Sequence, residues 1–279
     1  MEKPNTCFNL INPLSWFVQK SHAQTTPSPS GADLKVKPTL DRRFAQRKIK
    51  IGKEDIVPLI EHYSTLLFDL DGTLTDPKIG ITKSVHYSLE KMGILAVSND
   101  SLVKFIGPPL KESYVKYFSL SNEDADLAIK FYREYFSITG LFENTIYMDI
   151  DILLNELCKK NIVLIVATSK PTIYSKEICK HFNILKYFTA IEGSELDGTR
   201  SSKAELINYI LLKYSIDKEK VLMIGDREHD IIGANRNSIK SIGVGYGYGG
   251  KEELINAGAS YYVKSIKELS KILIGEEDI

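Results

Sequence analysis

Thr65-Leu66-Leu67-Phe68-Asp69-Leu70-Asp71-Gly72-Thr73 begins apolar and ends polar. An apolar run meets two carboxylates and a glycine with no spacer between them. A run like Thr65 to Phe68 suits a parallel strand covered on both faces. In open α/β sheets, ligands bind outside the carboxyl ends of such strands. Asp69 and Asp71 face the same way if the strand continues regularly. Their repulsion then calls for a cation or a shared proton. Gly72 permits the sharp turn that follows. Asp-Gly alone is a common turn dipeptide; the whole D-x-D-G-T after an apolar strand is far more specific.

The same pattern recurs downstream. Ile162 to Ala167, Val221 to Ile224 and Ile239 to Val244 are further buried-strand runs. Helical segments are expected at 151–160, 172–182 and 203–214. Strands alternating with helices predict a doubly wound, Rossmann-like parallel α/β sheet. One stretch breaks the alternation. Ile81, Val85, Leu89 and Met92 repeat at helical spacing, as do Leu110, Tyr114 and Phe118. Ser121-Asn122-Glu123-Asp124 resembles a capping box opening another helix. About ninety residues between the first two strands lack a convincing strand, and roughly Lys78 to Ile146 read as an all-helical insertion. The expected division is an α/β core over 59–77 and 147–279, with a helical cap over 78–146.

Polar residues stand at three further strand ends. Thr168-Ser169-Lys170-Pro171 places a hydroxyl beside the free N–H groups of a helix start, an anion site in outline. Taken alone, Thr168 reads equally as an N-cap. Lys203 opens a helix, where its charge opposes the dipole and invites an outside partner such as a phosphate. Gly225-Asp226-Arg227-Glu228-His229-Asp230 brings two acids to the end of the third strand. Together with Asp69 they outline a hard-cation site, since Mg²⁺ takes oxygen ligands.

The order D-x-D-G-T, strand-end Thr, Lys, G-D-x-x-x-D resembles the haloacid dehalogenase superfamily over about residues 64–273, and the helical insertion resembles its cap. Phe68 to Asp76, Phe105 to Leu110 and Gly225 to Asp230 are similar to its phosphoglycolate phosphatase group, and Gly193 to Arg200 to enzymes labelled 5′-nucleotidases or phosphoglycolate phosphatases. The resemblance implies a phosphatase acting on small phosphorylated metabolites through an aspartyl-phosphate on Asp69. Asp71 would protonate the leaving oxygen and later activate water. Asp69, the Asp71 carbonyl and Asp226 would hold Mg²⁺, with Asp230 behind them. Thr168, Ser169, Lys203, Gly72 and Thr73 would grip the phosphate. Phe105, Ile106, Gly107 and Pro108 would form the loop that selects the leaving group.

Rival chemistries lack their residues. A dehalogenase has no need of Asp71. A sugar-phosphate mutase carries a cap histidine about a dozen residues after the nucleophile, where this chain has Ile81. A non-catalytic regulatory module would have lost one of Asp69, Asp71, Lys203 or Asp226. Lys plus Arg and Asp plus Glu both number 36, which argues against nucleic acid as a partner. No apolar run is long enough for a membrane span, and Glu2, Pro4 and Asn5 make a poor secretory leader. Cys7, Cys158 and Cys179 form no paired motif, so a reducing, cytoplasmic setting is expected. Residues 1–58 differ from the rest: Ser21 to Gly31 is Pro/Ser-rich, and Lys35 to Lys53 carries eight Lys or Arg against Asp41. They read as a disordered extension or a remnant of cloning, with a targeting leader or a contact for an acidic partner as the sharper alternatives.

Overall fold

The computed structural model describes residues 57–95 and 97–275, so nearly all of the expected 1–58 extension lies outside the described residues. In chain order the first part runs β1 (Thr65–Phe68), β2 (Thr75–Asp76), α1 (Lys78–Lys91), α2 (Asn99–Leu102), α3 (Leu110–Phe118), α4 (Asn122–Tyr135) and β3 (Thr145–Ile146). The second part runs α5 (Ile150–Lys159), β4 (Val163–Pro171), α6 (Thr172–His181), β5 (Ala190–Ser194), α7 (Lys203–Lys213), β6 (Val221–Gly225), α8 (Glu228–Arg236), β7 (Lys240–Val244), α9 (Lys251–Asn256), β8 (Tyr261–Val263) and α10 (Ile266–Ile274).

Six strands form one sheet in the order β5-β4-β1-β6-β7-β8, and every pair in it is parallel. The expected doubly wound architecture is therefore present. β1 lies in the middle, with Leu67 level with Ile165 of β4 and Met223 of β6. Successive side chains of a strand point to opposite faces. Leu66 and Phe68 accordingly join one core with Leu153, Leu157 and Ile178, while Leu67 joins another with Leu206, Ile210 and Ala234. Helices on both sides leave β1 buried throughout.

Four strands lay beyond the sequence expectation. β5 contains Glu192 and Gly193, unlike a buried strand, and Glu192 is kept inside by hydrogen bonds from Lys213 and Tyr214. β8 is a three-residue edge strand. β2 and β3 make a two-residue antiparallel pair, Thr75 with Ile146 and Asp76 with Thr145. The chain leaves the sheet layer and returns to it through that pair. β4 also runs past its expected end, carrying Thr168 to Pro171 in the strand with a register shift against β5.

Between β2 and β3 the chain is helical, as expected. Ser121 caps α4 by accepting a hydrogen bond from the Asp124 amide at 3.0 Å. α4 passes into a single π-turn, Phe136–Gly140. Such turns re-aim side chains and are frequent at functional sites. This one brings Phe136 over the carboxyl end of the sheet, where it faces Lys170 of β4.

Candidate active site

The site is built where β1, β4 and β6 end. The Asp69 amide donates to the Ile224 carbonyl at 2.9 Å, so β1 is anchored to β6 at the residue where chemistry is expected. The turn after it closes tightly: the Gly72 amide donates to Thr75 O at 2.7 Å and the Thr73 amide to Leu70 O at 3.3 Å. Gly72 has φ +84°, and a methyl group there would lie 2.2 Å from Asp226 Oδ2. Only glycine allows both the turn and the approach of the two loops. Gly72 and Thr73 were expected to grip a phosphate. Their amides are engaged inside the turn, where both residues shape the loop. The Thr73 hydroxyl faces Asp226.

Lys203, at the start of α7, is buried. Its ammonium lies 2.9 Å from Asp69 Oδ1, 2.7 Å from Asp230 Oδ1 and 2.8 Å from Ala167 O. Burial pulls its pKa down, but Asp230 and Asp69 outweigh that and hold it above the ordinary lysine value. An ammonium has three protons, and here three protein oxygens surround it. Its first task is to orient Asp69 and tie it to Asp230.

Asp69, Asp226 and Asp230 bring carboxylate oxygens within 4.8 Å of one another, all buried. Lys203 pairs with two of the three. Asp226 has no ion pair among the described residues; Tyr248 donates its amide to Oδ2 at 2.7 Å. Burial, then the charges of Asp69 and Asp230, pushes the Asp226 carboxyl well above the usual range. A cluster with one ammonium for three acids suits a cation. An all-oxygen donor set suits a hard one such as Mg²⁺, and these residues fit that ion.

Asp71 is also buried. Its Oδ2 lies 2.8 Å from the Lys170 ammonium, while Oδ1 is buried without a hydrogen-bond partner among the described residues. Burial pushes its carboxyl up, against the pull of Lys170. Asp69 and Asp71 open onto a cavity of about 70 Å³ also lined by Thr168, Ser169, Lys170, Ile81, Tyr132 and Phe136.

The structure thus brings Asp69, Asp71, Thr168, Ser169, Lys203, Asp226 and Asp230 to one sheet end. Of the expected selectivity loop, Phe105, Gly107 and Pro108 line the cavity. Ile106 does not: its side chain is fully buried, and its carbonyl accepts from the Arg227 guanidinium. Phe105 is as much core as wall, with its ring 5.0 Å from Tyr114, 5.8 Å from Tyr117 and 5.9 Å from Phe118. Lys170 went unassigned in the sequence. The one signal available was its position directly after Ser169 at a strand end.

The parallel sheet thus carries two carboxylates, two residues apart, at the end of its central strand, beside a lysine-linked acid cluster. Residues 66–244 match the haloacid dehalogenase-like hydrolase family. A 5′-nucleotidase of Pseudomonas aeruginosa is 44% identical over 211 residues, 76% of this chain and 96% of that protein. A predicted phosphatase from Clostridium acetobutylicum has a crystal structure that superposes with a TM-score of 0.75 at 50% identity, covering 77% of this chain and 100% of that one. The tyrosine-protein kinase PtkA of Mycobacterium tuberculosis is 36% identical over 184 residues, 66% of this chain and 62% of that protein. The chain belongs to the haloacid dehalogenase-like hydrolase family. Within it, it is a phosphatase.

Proposed function

We propose that the protein is a Mg²⁺-dependent phosphomonoester hydrolase that works through an aspartyl-phosphate on Asp69. Its substrates would be small soluble phosphates of the nucleoside 5′-monophosphate or 2-phosphoglycolate type. One observation carries this reading: two buried carboxylates, Asp69 and Asp71, open onto one cavity with different partners. Asp69 is bound to a lysine tied into the acid cluster, and Asp71 has one oxygen without a partner among the described residues.

Each residue then has a task. Asp69, oriented by Lys203, forms a bond from carboxylate oxygen to phosphorus as the ester P–O bond breaks. Asp71 gives its proton to the departing oxygen. Water then attacks phosphorus, Asp71 takes the water's proton, and the Asp69 carboxylate and inorganic phosphate separate. The Thr168 hydroxyl and Ser169 border the cavity beside Asp69 and would steady the phosphoryl oxygens. Asp69, Asp226 and the Asp71 carbonyl would hold Mg²⁺, which supplies positive charge between carboxylate and phosphate. Asp230 keeps Lys203 in place.

Residues 78–146 are read as a cap over this site. Beneath it the cavity is about 70 Å³, against the roughly 300–1,000 Å³ of typical ligand pockets. A nucleoside requires the helices to swing away, while a leaving group of glycolate size asks less. Turnover of a phosphomonoester panel, with and without Mg²⁺, tests the proposal. Rapid Mg²⁺-dependent release of phosphate from small metabolites is expected. Full activity after chelation, or faster turnover of phosphopeptides than of metabolites, would overturn it.

A further inference from the structure

Lys170 sits where β4, the cavity and the helical insertion meet. Its ammonium is 2.8 Å from Asp71 Oδ2, with both side chains almost fully buried. The same nitrogen stands 4.5 Å from the centre of the Phe136 ring. Phe136 is held between Tyr132, stacked at 5.1 Å, and Tyr174, edge-on at 5.4 Å. A cation over an aromatic face is attracted by the ring's quadrupole, so two independent contacts fix where this ammonium lies.

The backbone beneath is equally fixed. The Lys170 amide donates to Thr168 Oγ1 at 3.3 Å, and the Ser194 hydroxyl donates to Ser169 O at 2.8 Å. Gly193 of β5 passes so close that a methyl group there would lie 2.3 Å from Lys170 O. That contact coincides with the register shift between β4 and β5. A lysine stem is flexible and its head normally mobile; this one is pinned at both ends.

Asp71 Oδ1 remains. A buried polar atom with no partner calls for an explanation. Lys170 takes Oδ2 and leaves Oδ1, on a residue that lines the cavity, as the oxygen without a partner among the described residues and so the one able to meet the ester's leaving oxygen.

We propose that Lys170 is the positioning residue of the reaction: it clamps one oxygen of Asp71 so that the other meets the leaving group, and it does so while braced on Phe136 of the helical insertion. This rests on the acid role of Asp71 proposed above. Lys170 itself makes and breaks no bond. Asp71 acts twice, giving a proton to the leaving oxygen and later taking one from water; only the first step depends on the leaving group, and kcat/KM reads that step without the later hydrolysis of the intermediate.

The test compares kcat and KM for an alkyl phosphate and for 4-nitrophenyl phosphate. The proteins are the wild type, Lys170→Met, Lys170→Arg, Asp71→Asn and the double variant Asp71→Asn/Lys170→Met. A misplaced reacting group costs on the order of 10²-fold. Lys170→Met should lose about that much in kcat/KM on the alkyl ester, with far less loss in kcat/KM on the aryl ester. Lys170→Arg keeps a donor and should recover much of the alkyl rate. The double variant should be no slower than Asp71→Asn, since Lys170 acts only through Asp71. Equal losses on both esters, or additive losses in the double variant, would overturn the inference. If Asp71→Asn is selective for the alkyl ester and Lys170→Met is not, Lys170 is structural and the acid role stands. If Asp71→Asn shows no selectivity, the acid role and this inference fall together. Should Lys170→Met fail to fold, an arginine variant slowed equally on both esters would be enough to overturn the proposal.

Discussion

Asp226→Asn should make the metal-free protein more stable while destroying its function. Asp226 is fully buried among carboxylates that approach within 4.8 Å, and Lys203 pairs with the other two. Two unit charges at that distance repel by about 3.5 kcal/mol at an effective dielectric of about 20. The Lys203 ammonium, paired with both neighbours, offsets much of the sum over the two, leaving a release of about 1–3 kcal/mol. Asparagine keeps the shape and an oxygen for the Tyr248 amide, and the Thr73 hydroxyl at the other oxygen can turn from donor to acceptor. For a protein of this size each kcal/mol moves Tm by about 2–4 °C. Thermal unfolding in chelator should therefore show the variant about 2–12 °C above the wild type. In Mg²⁺ the wild type should gain about 2.7 kcal/mol at a hundredfold excess over Kd, and the variant should gain little. A variant less stable than wild type in chelator, or one with an undiminished response to Mg²⁺, would refute the cation site.

Ca²⁺ should inhibit in competition with Mg²⁺, because its looser coordination lets Asp69 bind through both oxygens and lose its line of attack; steady-state rates at mixed metal ratios measure this. Phe105→Ala should cost about 3–5 kcal/mol in urea unfolding, since its ring packs on Tyr114, Tyr117 and Phe118. A change in substrate ranking in that variant would therefore reflect folding as well as selectivity, and Pro108 is the cleaner position at which to probe the cavity wall.

The legible parts of the sequence are those in which one local pattern carried both burial and chemistry. β1, β4, β6 and β7 are apolar because both faces are covered, and the acids at the ends of β1 and β6 stand out against them. β5 was hidden because Glu192 breaks its apolar run; the Lys213 and Tyr214 that satisfy it lie some twenty residues away. The partners of Lys203 were hidden likewise, since Asp69 is 134 residues distant. Lys170 stood in plain view beside Thr168 and Ser169. Its role depends on Asp71 and on a π-turn in the insertion, and neither relation has a local signature. Gly72 and Thr73 entered as phosphate-binding residues through the family resemblance; the turn that engages their amides is visible only in three dimensions.

The claim on which everything else depends is that Asp69 carries the phosphoryl group. Quenching the enzyme during turnover and reducing it with borohydride converts an aspartyl-phosphate to homoserine, which peptide mass spectrometry locates. The account predicts homoserine in place of Asp69, dependent on substrate and absent from the Asp69→Asn variant, which should also show no turnover. Homoserine at another aspartate, or an Asp69→Asn variant that keeps a substantial part of the wild-type kcat, would contradict it.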